Sequence, residues 1–343
     1  MHFSSLTRTF LLVALPCAGA GVAAEPPNRV TAPPAVSTLS IEQIPSARHP
    51  VIAGTPEELE RLRSDFAQGG ADGVVAARVR DATRRLAQPV EYPPRGGQHN
   101  QWYQCADCQI GLRAVDATRH ECPRCRRIYR GAPYDDVLYS RVHYSNLNAM
   151  VDAAWAYVIT GEEKFAAFAR QVLLGYAERY RTYTYHDSRL KTGREAGRSG
   201  GHLFEQTLNE AMAMTRSIAP AVDLIRGSTT LSPGDRETIR TQLLVPMLEN
   251  IAKHRAGKSN WQTWHNAAMI SGGAVLGDTA WVRRAVDDPE HGFRRQMQIS
   301  VSDEGMWYEN SWGYHFYTLG ALVSTAEVAR RIGIDLWSHP VLR

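Results

Sequence analysis

Lysine is nearly missing from this 343-residue chain: Lys164, Lys191, Lys253 and Lys258 are the whole set, so 35 of the 39 basic residues are arginine. Against 35 acidic residues the formal charge is only +4, and no basic run of five or more occurs. That balance excludes the electrostatic footprint of a nucleic-acid binder. GC-rich coding is the plain source of so much arginine; recognition of carboxylates, which the guanidinium fork meets with two hydrogen bonds, is the alternative. Beyond the N-terminal segment no stretch approaches the roughly 18 apolar residues needed to span a bilayer, which leaves no membrane span. Hydrophobic residues make up 43% and charged residues 22%, so a disordered or collagen-like chain is also excluded. Neither a sequence repeat of the kind an α-solenoid needs nor a series of alternating strand patterns is present.

Met1 to Ala24 reads as a secretory signal peptide: Arg8 opens it, Phe10 to Ala23 is apolar and small, and Val22-Ala23-Ala24 precedes a cut at Glu25. The expected location is periplasmic or secreted, with cleavage rather than lipid attachment at Cys17. The other four cysteines are Cys105, Cys108, Cys122 and Cys125, two CxxC pairs separated by thirteen residues. Two tight turns that each present two thiolates match a structural tetrahedral zinc site, and the short polar loop between them suits a zinc ribbon. Two disulfides are the alternative in an oxidising compartment. Four protein ligands leave no open position for water, so either way the module is structural and catalysis needs no cofactor from it.

Residues 25–54, rich in Pro, Ala and Ser, read as an extended leader, and 55–99 as N-terminal helices opened by Thr55-Pro56-Glu57-Glu58, an N-cap, a first-turn proline and a capping-box glutamate. The zinc-ribbon-like module occupies 100–130, and 131–343 read as the catalytic domain. Helical patterns run over Leu147–Thr160, Glu162–Tyr180, His202–Ile225, Pro233–His254, Asn260–Leu276, Thr279–Val286, Phe293–Ser300 and Ser311–Ile332, broken by short turns such as Thr160-Gly161 and Gly277-Asp278. The fold class expected is all-α, an (α/α) toroid of antiparallel helix pairs around a central cleft, with another large helical fold as the competing arrangement.

Two segments crowd polar tips and aromatic rings beyond the needs of a core: Ser259 to Ala268 and Asp303 to Tyr317. In the first, Asn260 stands where a helix begins, as an N-cap or as an amide donor. Trp261 and His265, four apart, share a helical face and could line one wall, with Asn266 beside them. In the second, Tyr308, Trp312, Tyr314 and Tyr317 offer flat apolar faces of the sort that stack on sugar rings. His202, Gln206 and Asn209 form a polar stripe at helical spacing, and Arg194 and Arg198 precede it in a glycine-rich loop suited to holding an acidic sugar.

The run Asn260–Asp278 followed by Asp303–Leu319, with Glu309-x-Ser311-x-x-Tyr314-His315 inside it, resembles the catalytic toroid of alginate lyases and heparinase II/III-like polysaccharide lyases. Pro133-Tyr134-Asp135 and the helices from Leu147 to Tyr180 are similar to that domain's early part, so the likeness covers roughly residues 130–343. It implies β-elimination on a uronic-acid polysaccharide, with Asn260 neutralising the substrate carboxylate, Tyr314 transferring protons and His315 matching the same element. If His265 is the base and Tyr314 the acid, proton and leaving oxygen depart from opposite faces; if Tyr314 does both, from one face. The family commonly has His directly after Asn, where this chain has Trp261, and commonly continues into a β-sandwich; truncation at the C-terminus is therefore one reading of where the toroid stops. Two alternatives stand beside the lyase: a glycoside hydrolase using Asp303, Glu304 or Glu309 as paired carboxylates, and a non-catalytic carbohydrate-binding protein.

Overall fold

A computed structural model describes residues 48–69 and 73–342. The signal-peptide reading and the first part of the leader lie outside them. Within them the chain is mostly helical, as expected, and none of its helices is long and apolar enough to cross a membrane. Helix α1 (Pro56–Ala67) opens with the expected capping box between Thr55 and Glu58, and α2 is Gly73–Leu86. Both pack on the long α3 (Tyr134–Thr160), which also meets α4 (Glu163–Arg179) across the left-handed Gly161. Residues 48–54 are docked rather than extended: the buried Asp223 carboxylate accepts the backbone N–H of Val51 at 2.6 Å and Ile52 at 2.8 Å, and lies 2.6 Å from His49 Nδ1.

Two helices widen in the middle for the same reason. Helix α5 (Thr207–Ala213) passes through a π turn, Met214–Ile218, into α6 (Ala219–Leu224); α7 (Pro233–Ile239) passes through Arg240–Leu244 into α8 (Val245–Lys253). Each π turn is followed by a proline, Pro220 or Pro246, whose missing N–H releases the carbonyl four residues back and lets the spiral open. Helix α9 (Asn260–Leu276) is the axis of the later half. All of its residues except Trp261 and Leu276 are buried, and α5, α8, α10 (Thr279–Asp287), α11 (Phe293–Ser300) and α12 (Trp312–Arg331) pack on it. These pairs form the (α/α) architecture expected from the helical spacing.

Between α2 and α3 sits the small module. Its strands β1 (Arg113–Ala114), β2 (His120–Glu121) and β3 (Ile128–Tyr129) form a three-stranded antiparallel ribbon. Buried His120 ties it to the helical body, one ring nitrogen 2.8 Å from the Tyr103 hydroxyl and the other 2.8 Å from Asp135 at the start of α3.

Candidate active site

Ser259, not Asn260, caps α9: its backbone is extended and its hydroxyl accepts the N–H of Trp261 at 3.1 Å. This corrects the reading of Asn260 as a cap and releases its amide for other work. The Asn260 Nδ2 donates to both oxygens of Glu309, at 3.1 and 2.9 Å, and the indole N–H of Trp307 donates to the same carboxylate at 2.6 Å. A carboxylate held by two donors fixes the amide's rotamer. Glu309 is therefore a brace here, while Asp303 and Glu304, its partners in the hydrolase alternative, are exposed on the preceding turn.

The brace segment is itself pinned. Gly305 takes φ +81, a left-handed position that costs glycine little, and lets Ser302 N–H reach Met306 O at 2.9 Å. The Tyr308 hydroxyl donates to Lys258 O at 2.6 Å, with the Lys258 ammonium 4.2 Å from its ring centroid. His315 accepts the Trp307 N–H at 3.3 Å, so it supports the turn. Ser311 caps α12 by accepting the Tyr314 N–H, and Tyr314 then stands half-exposed at 50% on the first turn. Trp312, 67% exposed, stacks on Phe316 next to it.

At 3.6 residues per turn, Trp264 lies only about 40° around α9 from Asn260, whereas His265 lies about 140° away. Trp264 accordingly shares the Asn260 side: its ring lies 5.3 Å from that of Tyr317 on α12, and the Arg216 guanidinium sits 4.4 Å over it. The Tyr317 hydroxyl donates to Met212 Sδ at 2.8 Å; burial pushes its pKa up to about 12, with Arg216 pulling the other way. His265 and Trp261 do share a face, as their spacing implies, but both meet His254, with ring centroids 5.7 and 5.6 Å away. Burial pushes the His265 pKa down to about 3, so its imidazole is neutral at ordinary pH. Asn266 also belongs inside, donating to His291 O at 2.8 Å and accepting from Gln262.

The polar stripe is broken up. His202 and Gln206 precede α5 rather than lying on it, because the buried Glu210 carboxylate takes the N–H groups of His202 and Leu203 and holds 202–206 as a loop; only Asn209 is helical. His202 spends Nδ1 on Tyr183 O at 2.7 Å, and Asn209 donates to Glu205 at 2.9 Å. Arg194 and Arg198 are exposed in the preceding loop. Sequence reasoning passed over Arg216 and Trp264; Pro220, four residues after Arg216, was the one local sign of a special turn there.

In the ribbon the four cysteine sulfurs lie within 4.8 Å of one another, and none is in a disulfide. Cys105 Sγ is 3.8 Å from Cys125 Sγ. Four sulfurs at about 2.3 Å from one ion are about 3.8 Å apart along a tetrahedral edge, so the donor set fits a metal. The Tyr129 hydroxyl donates to Cys105 Sγ at 3.2 Å, which favours the thiolate there.

Residues 85–340 match the family model described as alginate lyase. The chain is 32% identical over 196 residues to an alginate lyase of Stenotrophomonas maltophilia, 55% of this chain and 25% of that protein. It is 29% identical over 185 residues to an exo-oligoalginate lyase of Saccharophagus degradans, 52% of this chain and 24% of that one. The chain thus spans about a quarter of the length of the curated relatives it matches. Among solved structures, an alginate lyase from Bacteroides ovatus superposes with TM-score 0.58 at 13% identity, over 85% of this chain and 78% of that one. One from Sphingomonas species A1 gives 0.57 at 15%, over 87% and 73%. A variant of the latter in complex with a tetrasaccharide gives 0.53 at 14%, over 88% and 73%. At these identities the superpositions speak for the shared fold.

Proposed function

The chain belongs to the alginate lyase family, and on that premise we propose that it is an exported polysaccharide lyase acting on a uronate polymer or oligomer of the alginate type. The observation that carries the reading is the Asn260 amide, fixed by Glu309 and Trp307, in the segment that leads into the half-exposed phenol of Tyr314. The C5 proton of a uronate is weakly acidic, and its removal puts enolate-like charge on the adjoining carboxylate. One N–H of the Asn260 amide, shared between the two Glu309 oxygens, holds it in place before the reaction, and its other N–H is the donor that stabilises the charge without reorganising. In the elimination a base takes the C5 proton, its electrons form the C4–C5 double bond, and the C4–O bond breaks. The leaving oxygen then receives a proton.

Tyr314 is the proton carrier in this reading, and its access to solvent supports that role. His265 is assigned a packing role instead, since it is 1% exposed and turned about 140° from Asn260. Trp312, Tyr308 and Tyr317 supply stacking surfaces, with Arg194 and Arg198 for further carboxylates and His202 and Gln206 at the loop edge. Zinc in the four-cysteine ribbon is part of the same proposal, as a structural ion outside the chemistry.

The test is incubation of purified protein with alginate, its oligomers and glycosaminoglycans while following the ultraviolet band of an unsaturated uronate. Appearance of the band without consumption of water supports the lyase. Products with saturated ends would move the assignment to hydrolysis, and binding without turnover to a carbohydrate-binding protein. Tyr314→Phe is expected to abolish the band, and activity surviving it would remove Tyr314 from the mechanism.

A further inference from the structure

Arg216 is an arginine without a carboxylate. Its neighbours in the π turn, Met214, Thr215, Ser217 and Ile218, are all buried, and Arg216 alone turns outward. Its guanidinium carbon sits over the Trp264 indole, 4.4 Å from the ring centroid, and among the described residues it forms no ion pair. The groups that feel its charge are phenols, those of Tyr317 and Tyr144. Burial lowers its pKa, and the Trp264 face and the two phenols offset part of that cost, but no carboxylate does. None of its five N–H donors is hydrogen-bonded among the described residues, so its fork is available to a carboxylate in two hydrogen bonds.

Trp264 is one turn along α9 from Asn260, about 6 Å of rise, and the same indole touches Tyr317, three residues beyond Tyr314 on α12. Arg216 therefore reaches the same wall as the Asn260 amide but not the same spot. We propose that Arg216 holds the carboxylate of the uronate that adjoins the sugar undergoing elimination, making it the group by which this wall distinguishes an acidic glycan from a neutral one. The assignment rests on the lyase reading for the identity of the reacting sugar. The binding it predicts does not depend on turnover.

Arg216→Gln and Arg216→Lys are the variants, compared with wild type on alginate tetrasaccharide and on the same oligomer with its carboxyls reduced to alcohols. A residue that grips a neighbouring sugar contributes equally to ground and transition states, so KM should rise ten- to a hundredfold in Arg216→Gln while kcat stays within a few fold. Arg216→Lys should fall between, having charge but no fork. Calorimetric binding should show wild type preferring the acidic oligomer and Arg216→Gln losing most of that preference, with the thermal midpoint unchanged. An unaltered KM and preference would overturn the assignment, as would a collapse of kcat at constant KM. A wild type that binds the oligomer yet forms no unsaturated product would fail the lyase reading alone, and the binding comparison would still decide Arg216.

Discussion

Burial holds the Glu205 carboxyl protonated well above the usual carboxylate range. It is 1% exposed, the Asn209 amide at 2.9 Å is its side-chain donor, and burial pushes its pKa from 4.5 up to about 7. Below pH 4.5 the folded and unfolded chains are both protonated there and the group costs nothing. Between 4.5 and 7 the unfolded chain releases the proton while the folded chain keeps it, so stability falls as pH rises through that window and the loss is complete above it. The size is on the order of 3 kcal/mol. Glu205→Gln, which keeps an oxygen for Asn209, should therefore raise the urea midpoint at pH 8 by about that free energy and leave it nearly unchanged at pH 4.5; equal midpoints at both pH values would mean the native carboxyl ionises normally. Burial of this kind was not legible from the residues around Glu205. At the same scale, the spacing of Trp261 and His265 did reveal a shared face, but spacing is silent on which neighbour that face meets, and His254 was there.

Between elements, the decisive contact joins the first turn of α9 to the segment before α12. Asn260 and Trp307 converge on one carboxylate, forty-nine positions from the first and two from the second. Glu309→Gln places an NH₂ where one of those donors now points, and should slow formation of unsaturated product by about 10²-fold through misplacement of the amide. Its stability cost should be about 1–3 kcal/mol. Unsaturated product at the wild-type rate would show that the brace is not needed. The element Glu309-x-Ser311-x-x-Tyr314-His315 is visible as a unit, but the only role the residues suggest for the glutamate is membership of an acid pair in the hydrolase alternative. Its actual partners come from another helix and from a turn, and no local pattern carries that. Pro220 and Pro246 were equally visible, yet the π turns before them follow only once both flanking stretches are known to be helical.

Across the whole molecule, the cysteine ribbon links parts that are distant in sequence. Besides the His120 bridge to Asp135, Gln98 donates to Asp187 O at 3.0 Å and the Trp102 indole to Ser188 O at 3.0 Å, so the stretch leading into the ribbon anchors the start of the loop that carries Arg194 and Arg198. A structural ion at such a junction contributes to folding outright. Metal analysis of the native protein should find about one zinc per chain, and a strong chelator should lower the thermal midpoint by several degrees, with Cys108→Ser doing the same. A midpoint indifferent to both would end the case for a structural ion. Residues 48–54, the described end of the leader, and the N-terminal helices are joined to this body through Asp223 and through α3.

What the sequence determined by itself was local or nearly so: the helices and their spacing, the α1 capping box, the CxxC pairs, and the dense polar and aromatic runs that mark the site. These follow from interactions within a few residues, where order along the chain is order in space. Which neighbours each side of α9 meets, which donors Glu309 receives, and that Arg216 lies on Trp264 without an acid beside it were decided only by the tertiary structure. Each depends on a chain segment tens of residues away, brought close by burial of α9 against six other helices.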